Sequence, residues 1–218
     1  MRPAIGAALI VRNEESFIEG CLRSIADAVD EIVVVDNGSA DRTIPIALSF
    51  GARILEFPWR DDFAAARNHG LDAVRADWIL YIDADERLSM PAGARLGDGL
   101  EAPDAIAAAG RFHPRLRTTP YREIRLFRRD PRIRFEGVIH ETMMPALDAL
   151  REAEGGRFVD SDAAITHLGY EGDLTAKHRR NLPLLRAAIE QDPQRLYYWN
   201  HLAETLEAIG QVDEAVEI

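Results

Sequence analysis

Trp78 to Arg87 reads WILYIDADER. Five apolar residues, Trp78-Ile79-Leu80-Tyr81-Ile82, break at once into Asp83-Ala84-Asp85-Glu86. Such a run ending in acids predicts a buried central strand that delivers charge at its C-terminal end. In an open α/β sheet that end is where ligands bind. Two carboxylates at i and i+2 in an irregular turn can converge on one hard divalent cation. Mg²⁺ is commonly held by one or two carboxylates together with substrate phosphates, and Mn²⁺ suits the same oxygens. Taken alone, these acids read equally as a solvated turn, so the neighbouring segments have to decide.

Upstream, Ala4 to Val11 (AIGAALIV) predicts a first buried strand. A helix follows from Asn13 or Glu14, with Phe17, Ile18, Cys21, Leu22, Ile25 and Val29 at helical spacing. Glu31 to Asp36 (EIVVVD) is a β-branched run ending in an acid. After the turn Asn37-Gly38-Ser39, Ser39 or Asp41 can cap a helix from about Arg42 to Phe50, stopped by Gly51. Ala52 to Phe57 is a third strand, and a further helix starts at Asp61. Strands and helices alternating through short connections imply a mostly parallel sheet covered on both faces.

Downstream the pattern changes. Met90 to Asp104 predicts a loop with a short helix. Ile106 to Arg117 and Arg122 to Arg128 predict a hairpin or neighbouring strands, and Ile133 to His140 a short strand. Pro145 to Glu154 predicts a helix, and Phe158 to His167 a last strand. Leu174 to Gln191, Gln194 to Ile209 and a segment from Val212 read as three helices. Trp199, Leu202, Ala203, Leu206, Gly210 and Ala215 fall at tetratricopeptide spacing. One and a half repeats cannot bury their own faces, so they pack on the preceding domain or continue. The helical pattern reaches Ile218 without a cap, which predicts a longer natural protein.

Composition narrows the function. The 218 residues carry 26 basic and 37 acidic side chains, a net charge of −11. That disfavours nucleic acid as the main partner, because phosphate binding needs a basic face. A single cysteine, Cys21, excludes an intrachain disulfide and a cysteine zinc site. No run approaches the ~18 apolar residues of a membrane span, and no targeting segment is evident, so the expected location is the cytoplasm.

Four motifs now stand in order: Arg12-Asn13-Glu14-Glu15, Val35-Asp36-Asn37-Gly38-Ser39-Ala40-Asp41, Ala66-Arg67-Asn68-His69-Gly70 and Tyr81-Ile82-Asp83-Ala84-Asp85-Glu86. Their order and spacing resemble the family 2 glycosyltransferases, which have the GT-A fold. The resemblance is strong from residue 4 to about 90. It continues more weakly through Phe135-Glu136-Gly137-Val138-Ile139-His140-Glu141 and Thr166-His167-Leu168-Gly169-Tyr170, pieces that look like the subgroup with tetratricopeptide repeats behind the catalytic domain. The implied fold is a Rossmann-like α/β GT-A domain over residues 1–172, followed by a short all-α extension over 173–218.

The resemblance implies a metal-dependent, inverting glycosyltransferase that moves a sugar from a nucleotide-diphosphate donor, with UDP the commonest in the family, to an acceptor hydroxyl on a glycan, lipid or protein. It places the nucleotide against Leu9, Val11, Arg12 and Glu14, with Asp36 on the base or ribose and Arg67 near anionic groups. Asp85 is implied as the direct ligand of Mn²⁺ or Mg²⁺, Asp83 as a contact to ribose or to metal through water, and His167 as a further ligand. Glu141 is implied as the base that takes the acceptor proton, with His140 orienting it or touching acceptor, and Glu136 and Glu86 as rivals. Bland readings stand beside these: Asp36 as a turn acid, Glu14 at a helix start, Arg67 covering the sheet edge. Lys177, Arg180 and Asn181 read as a solvated helix face or as diphosphate contacts, and Arg125 gives no reason to prefer function. The helices suggest a peptide partner or a second copy of the chain. Two other classes remain, a scaffold of the same fold without chemistry and a sugar nucleotidyltransferase. The latter usually needs a Gly-rich basic loop where this chain has Arg12-Asn13-Glu14-Glu15.

Overall fold

The computed structural model describes residues 2–114, 119–169 and 174–218. β1 (Ile5–Val11) and β2 (Glu31–Asp36) run parallel, in register from Gly6–Glu31 to Val11–Asp36. β3 (Arg53–Glu56) extends the sheet beyond β2, and β4 (Trp78–Tyr81) pairs in parallel with the other side of β1. These strands are apolar almost throughout because both faces are covered. Ile5, Ala7 and Leu9 pack with Ile18, Cys21 and Leu22 of α1 (Ile18–Ile25) and Ala47 of α2 (Thr43–Ser49). Ala8, Val33 and Ile79 pack on the opposite face with Ala64 and Leu71 of α3 (Phe63–Ala73). Alternate strand residues therefore feed two separate cores.

The sheet has eight strands in the order β3-β2-β1-β4-β7-β6-β8-β5. β5 is Glu86–Ser89, and β6 (Ala105–His113) and β7 (Tyr121–Arg128) form an antiparallel pair as expected. α4 (Met144–Glu154) ends at Gly155, whose φ of 69° closes the helix, and β8 (Arg157–His167) returns to lie parallel to β6. β4–β7 and β5–β8 are antiparallel. The mostly parallel sheet expected from sequence is thus true of β1 to β4, and the second half makes the whole mixed.

Other expectations are corrected. The first helix starts at Ile18 rather than at Asn13 or Glu14, because Asn13 adopts φ 57° and the amides of Asn13, Glu14 and Glu15 donate to Ser39, Thr43 and Asp41. Ser39 therefore caps no helix. The helix expected from Asp61 starts at Phe63, capped by Asp62, which accepts from the Ala65 amide at 2.9 Å. Met90 to Asp104 forms turns without a helix. Ile133 to His140 is not a strand; left-handed Gly137 (φ 97°) and His140 (φ 51°) leave only a Glu136–Thr142 bridge. The strand end and turn expected at Arg117 and Thr118, Tyr170, and the domain boundary at 172/173 lie outside the described residues.

Three helices complete the chain: α5 (Thr175–Gln191), α6 (Leu196–Ala208) and α7 (Val212–Glu217), each packed on the next. Leu184, Leu185, Tyr198, Leu202 and Leu206 form their core, and Ile139, Val138, Trp59 and Phe63 of the preceding domain pack into it. The extension is thereby fixed beside the C-terminal ends of β1 and β4. Among the described residues no helix is long and apolar enough to cross a membrane.

Candidate active site

β1 pairs with β2 on one side and β4 on the other, so the chain order reverses beside it, which in such sheets opens a crevice at the strand ends. The Asp83-Ala84-Asp85-Glu86 turn sits there. Glu86 closes the turn: its Oε2 accepts from the Asp83 amide at 2.8 Å, and Arg125 donates to its two oxygens at 2.9 and 3.2 Å. The Arg125 guanidinium lies 4.6 Å from the centres of both the Tyr81 and Phe112 rings. Burial pushes the fully enclosed Glu86 carboxyl up to about 7, with Asp83 and Asp85 adding to the rise and Arg125 opposing it. Arg87 donates to the carbonyls of Ala84, Glu86 and Phe17, tying the turn to the entrance of α1.

Arg67, on α3, joins two acids. Its Nη2 donates to Asp83 Oδ1 at 2.9 Å and its Nε to Glu141 Oε1 at 2.5 Å. Burial disfavours the guanidinium charge, and the two carboxylates more than restore it. Arg67 in turn lowers the Asp83 pKa against the opposing effect of burial. Asn68 holds the facing loop by exchanging two 2.9 Å hydrogen bonds with the Phe135 backbone. A polar cleft of about 390 Å³ opens over these residues, lined by Arg67, Asp83 and Glu141 together with His140, Arg195 and Tyr197. Of the rivals to Glu141, Glu86 is sealed in the turn, and exposed Glu136 does not line this cleft.

Asp85 faces the other way. Its Oδ2 lies 3.2 Å from His167 Nε2, and the two backbones are linked by the Leu168 amide donating to the Asp85 carbonyl at 2.8 Å. The carboxylate rests against Gly169: a Cβ there would fall 1.8 Å from Oδ2, so any larger residue would displace the Asp85 side chain. Burial raises the Glu14 carboxyl to about 7, and the nearby charges of Asp85 and Asp83 add to the rise. A carboxylate and an imidazole side by side could give a divalent ion two ligands, the carboxylate suiting Mn²⁺ and Mg²⁺ alike. Among the described residues no three His, Cys, Asp or Glu side chains stand close enough to hold an ion together.

A smaller pocket of about 80 Å³ lies past the end of β1, lined by Val11, Arg12 and Glu14 with Asn37, Trp59, Phe63 and Arg180. The structure brings the expected Val11, Arg12 and Glu14 together here. Leu9 does not line this pocket; it is 1% exposed with its side chain in the core. Asp36 lies outside this lining; its Oδ1 accepts from the Ser39 amide at 2.9 Å, the turn-acid reading.

Residues 7–156 match the model of glycosyl transferase family 2. The chain belongs to that family. A TPR repeat-containing protein of Synechococcus elongatus is 36% identical over 97% of this chain and 54% of its own length. Glycosyltransferase SunS, encoded by the SPbeta prophage of Bacillus subtilis, is 26% identical over 99% of this chain and 52% of its own. The chain thus spans about half the length of the curated relatives it matches. The GT-A fold is shared with glucosyl-3-phosphoglycerate synthase of Mycobacterium tuberculosis, solved with Mn²⁺ and UDP-glucose: TM-score 0.58, 17% identity, covering 87% of this chain and 79% of that one.

Several residues of this family 2 site were not legible from motifs. Trp59 and Phe63 pack edge-to-face at 4.7 Å beside the small pocket, and their only signal was an aromatic spacing within Trp59-Arg60-Asp61-Asp62-Phe63. Arg180, read either as solvated or as a diphosphate contact, lies over the Phe63 ring at 5.3 Å and reaches the pocket from α5. Arg195 and Tyr197 reach the large cleft from the start of α6, a contribution that only tertiary packing reveals.

Proposed function

We propose that this family 2 domain transfers a sugar from a UDP-sugar to an acceptor hydroxyl with inversion at the anomeric carbon. The observation that carries the reading is the shared guanidinium of Arg67, which holds Asp83 on one side of the cleft and Glu141 on the other. A donor with its uracil against Val11 and Trp59 would extend its diphosphate toward Asp85. Glu14 and Arg12 border the nucleotide, and Asp83 stands where the ribose and the sugar meet. Bound Mn²⁺ or Mg²⁺, held by Asp85 and His167, would supply Lewis-acid stabilisation of the leaving diphosphate.

Glu141 faces the sugar from the opposite wall. It takes the acceptor proton as the acceptor oxygen forms its bond to C1 and the C1–phosphate oxygen bond breaks, releasing UDP. Arg67 holds Glu141 in place, and its guanidinium is shared between the two carboxylates. His140 borders the acceptor path. The relatives' names, the divalent ion in the mycobacterial synthase and the donor set of Asp85 and His167 support this reading. We infer a division into a catalytic domain over 1–172 and a helical extension over 173–218, and a cytoplasmic location, where UDP-sugars are made.

The test is hydrolysis of UDP-glucose and UDP-N-acetylglucosamine with Mn²⁺, water standing in for the acceptor. Release of UDP from one of them, lost on chelation and in Glu141→Gln, is the expected result. Tight UDP binding without turnover of either donor would favour a nucleotide-sugar-binding scaffold.

A further inference from the structure

The loop that carries Glu141 is held from outside the catalytic domain. Its backbone is unfavourable by itself: His140 is a non-glycine residue at φ 51°, and Gly137 stands at φ 97°. Left-handed conformation at a side chain with a Cβ costs on the order of 1 kcal/mol and persists only where surroundings enforce it. Here α6 is the surroundings. The His140 ring stacks on His201 at 4.1 Å and 25°, and meets Tyr197 edge-on at 5.2 Å. Tyr197 also packs against His201 at 4.3 Å, so the three rings form one block. Beneath it, Ile139 is 3% exposed within the α5–α6 core, and a Cβ on Gly137 would come within 3.2 Å of Tyr198 Oη. The far side of the loop is pinned by the Phe63 amide donating to the Val138 carbonyl at 2.9 Å. Burial, with His201, Arg195 and Lys177 nearby, lowers the His140 pKa to about 4, which suits close stacking.

We infer that His201 and Tyr197 of the helical extension are positioning residues for the catalytic carboxylate, clamping His140 so that Glu141 meets Arg67 and faces the cleft. The inference rests on the assignment of Glu141 as the base. His201 lines neither the cleft nor the donor pocket; it acts through the His140 ring. A carboxylate displaced by about 1 Å can cost on the order of 100-fold in rate, so the clamp is a control point for turnover. It also makes the extension part of the catalytic apparatus rather than an appended module.

The experiment uses the full chain with His201→Ala, His201→Phe, Glu141→Gln and the His201→Ala/Glu141→Gln double variant. Hydrogen exchange of residues 136–142 reports the loop, UDP calorimetry the donor site, and hydrolysis of the better UDP-sugar the chemistry. His201→Ala is expected to speed exchange in the loop and lower kcat by about tenfold or more, with donor KM and UDP affinity unchanged. His201→Phe, which keeps a ring to stack on, is expected to restore both. In the Glu141→Gln background the alanine is expected to lower kcat no further. Unchanged loop exchange, unchanged kcat, or a fall in kcat that phenylalanine does not rescue would overturn the clamp. If Glu141→Gln turns over as well as the native chain, the base assignment itself fails, and the clamp with it.

Discussion

The proposed donor side of the cleft and the proposed acceptor side are built by different means. On the donor side, Arg12, Asp83 and Asp85 stand within a few residues of the ends of β1 and β4, placed by strand register and by one buried turn. On the acceptor side, Glu141 sits on a loop with two left-handed residues, held by α3 from below and α6 from beside. The first arrangement is local, and its short motifs carry it. The second depends on segments some 60 residues apart in sequence, His140 and His201 among them. It follows that changes on the two sides should separate nucleotide binding from turnover.

The sharpest separation is expected from Glu141→Gln. Loss of a general base costs roughly 10²- to 10⁴-fold in rate. Sugar-nucleotide hydrolysis should fall by that much, while calorimetry finds UDP affinity unchanged; a parallel loss of UDP binding would erase the distinction between the sides. Arg67→Met tests the link between them. Removing the guanidinium leaves two part-buried carboxylates facing each other, a loss of about 3 kcal/mol for breaking such a set. Denaturant unfolding should report it, and the second substitution Glu141→Gln should recover part of it.

Trp59→Ala tests the donor side, where Trp59 lines the small pocket as well as packing on the α5–α6 core. An aromatic wall under a base contributes roughly 1–3 kcal/mol, so UDP should bind about tenfold or more weaker, with kcat at saturating donor unchanged. Unchanged UDP affinity would show that the pocket past β1 is not a nucleotide seat.

The smallest expected effect is a pH dependence on the acceptor side. Burial, with His201, Arg195 and Lys177 nearby, lowers the His140 pKa from 6.5 to about 4. Between those values the unfolded chain binds a proton that the folded chain refuses, so stability is complete above pH 6.5 and falls as pH drops toward 4. The contribution is on the order of 1 kcal/mol for a partly exposed ring. Comparing urea midpoints of wild type and His140→Asn at pH 7 and pH 5 isolates it; equal slopes with pH in both would remove it.

Much of the donor side was legible because short-range rules govern it. A buried strand ending in Asp-x-Asp-Glu and a β-branched run ending in Asp36 carry their reasons within a few residues. Glu86 shows where that reading ends: its carboxylate looked like one more acid of the motif, yet it is the fully buried brace of the turn, satisfied by Arg125 from a strand 39 residues away. Asp36 accepts from the Ser39 amide on one oxygen, the turn role that its motif also offered. The 133–140 segment looked like a strand by composition, and its left-handed residues are stable only because α6 packs on them. Spacing cannot report a conformation that another element enforces.

The central claim is that Asp85 and His167 join a divalent ion to the diphosphate of a nucleotide seated past β1. Calorimetric titration of UDP, with and without Mn²⁺, on wild type and Asp85→Ala tests it most directly. The account predicts binding that requires Mn²⁺ in the wild type and is lost in the variant. Equal UDP affinity in all four experiments would contradict it.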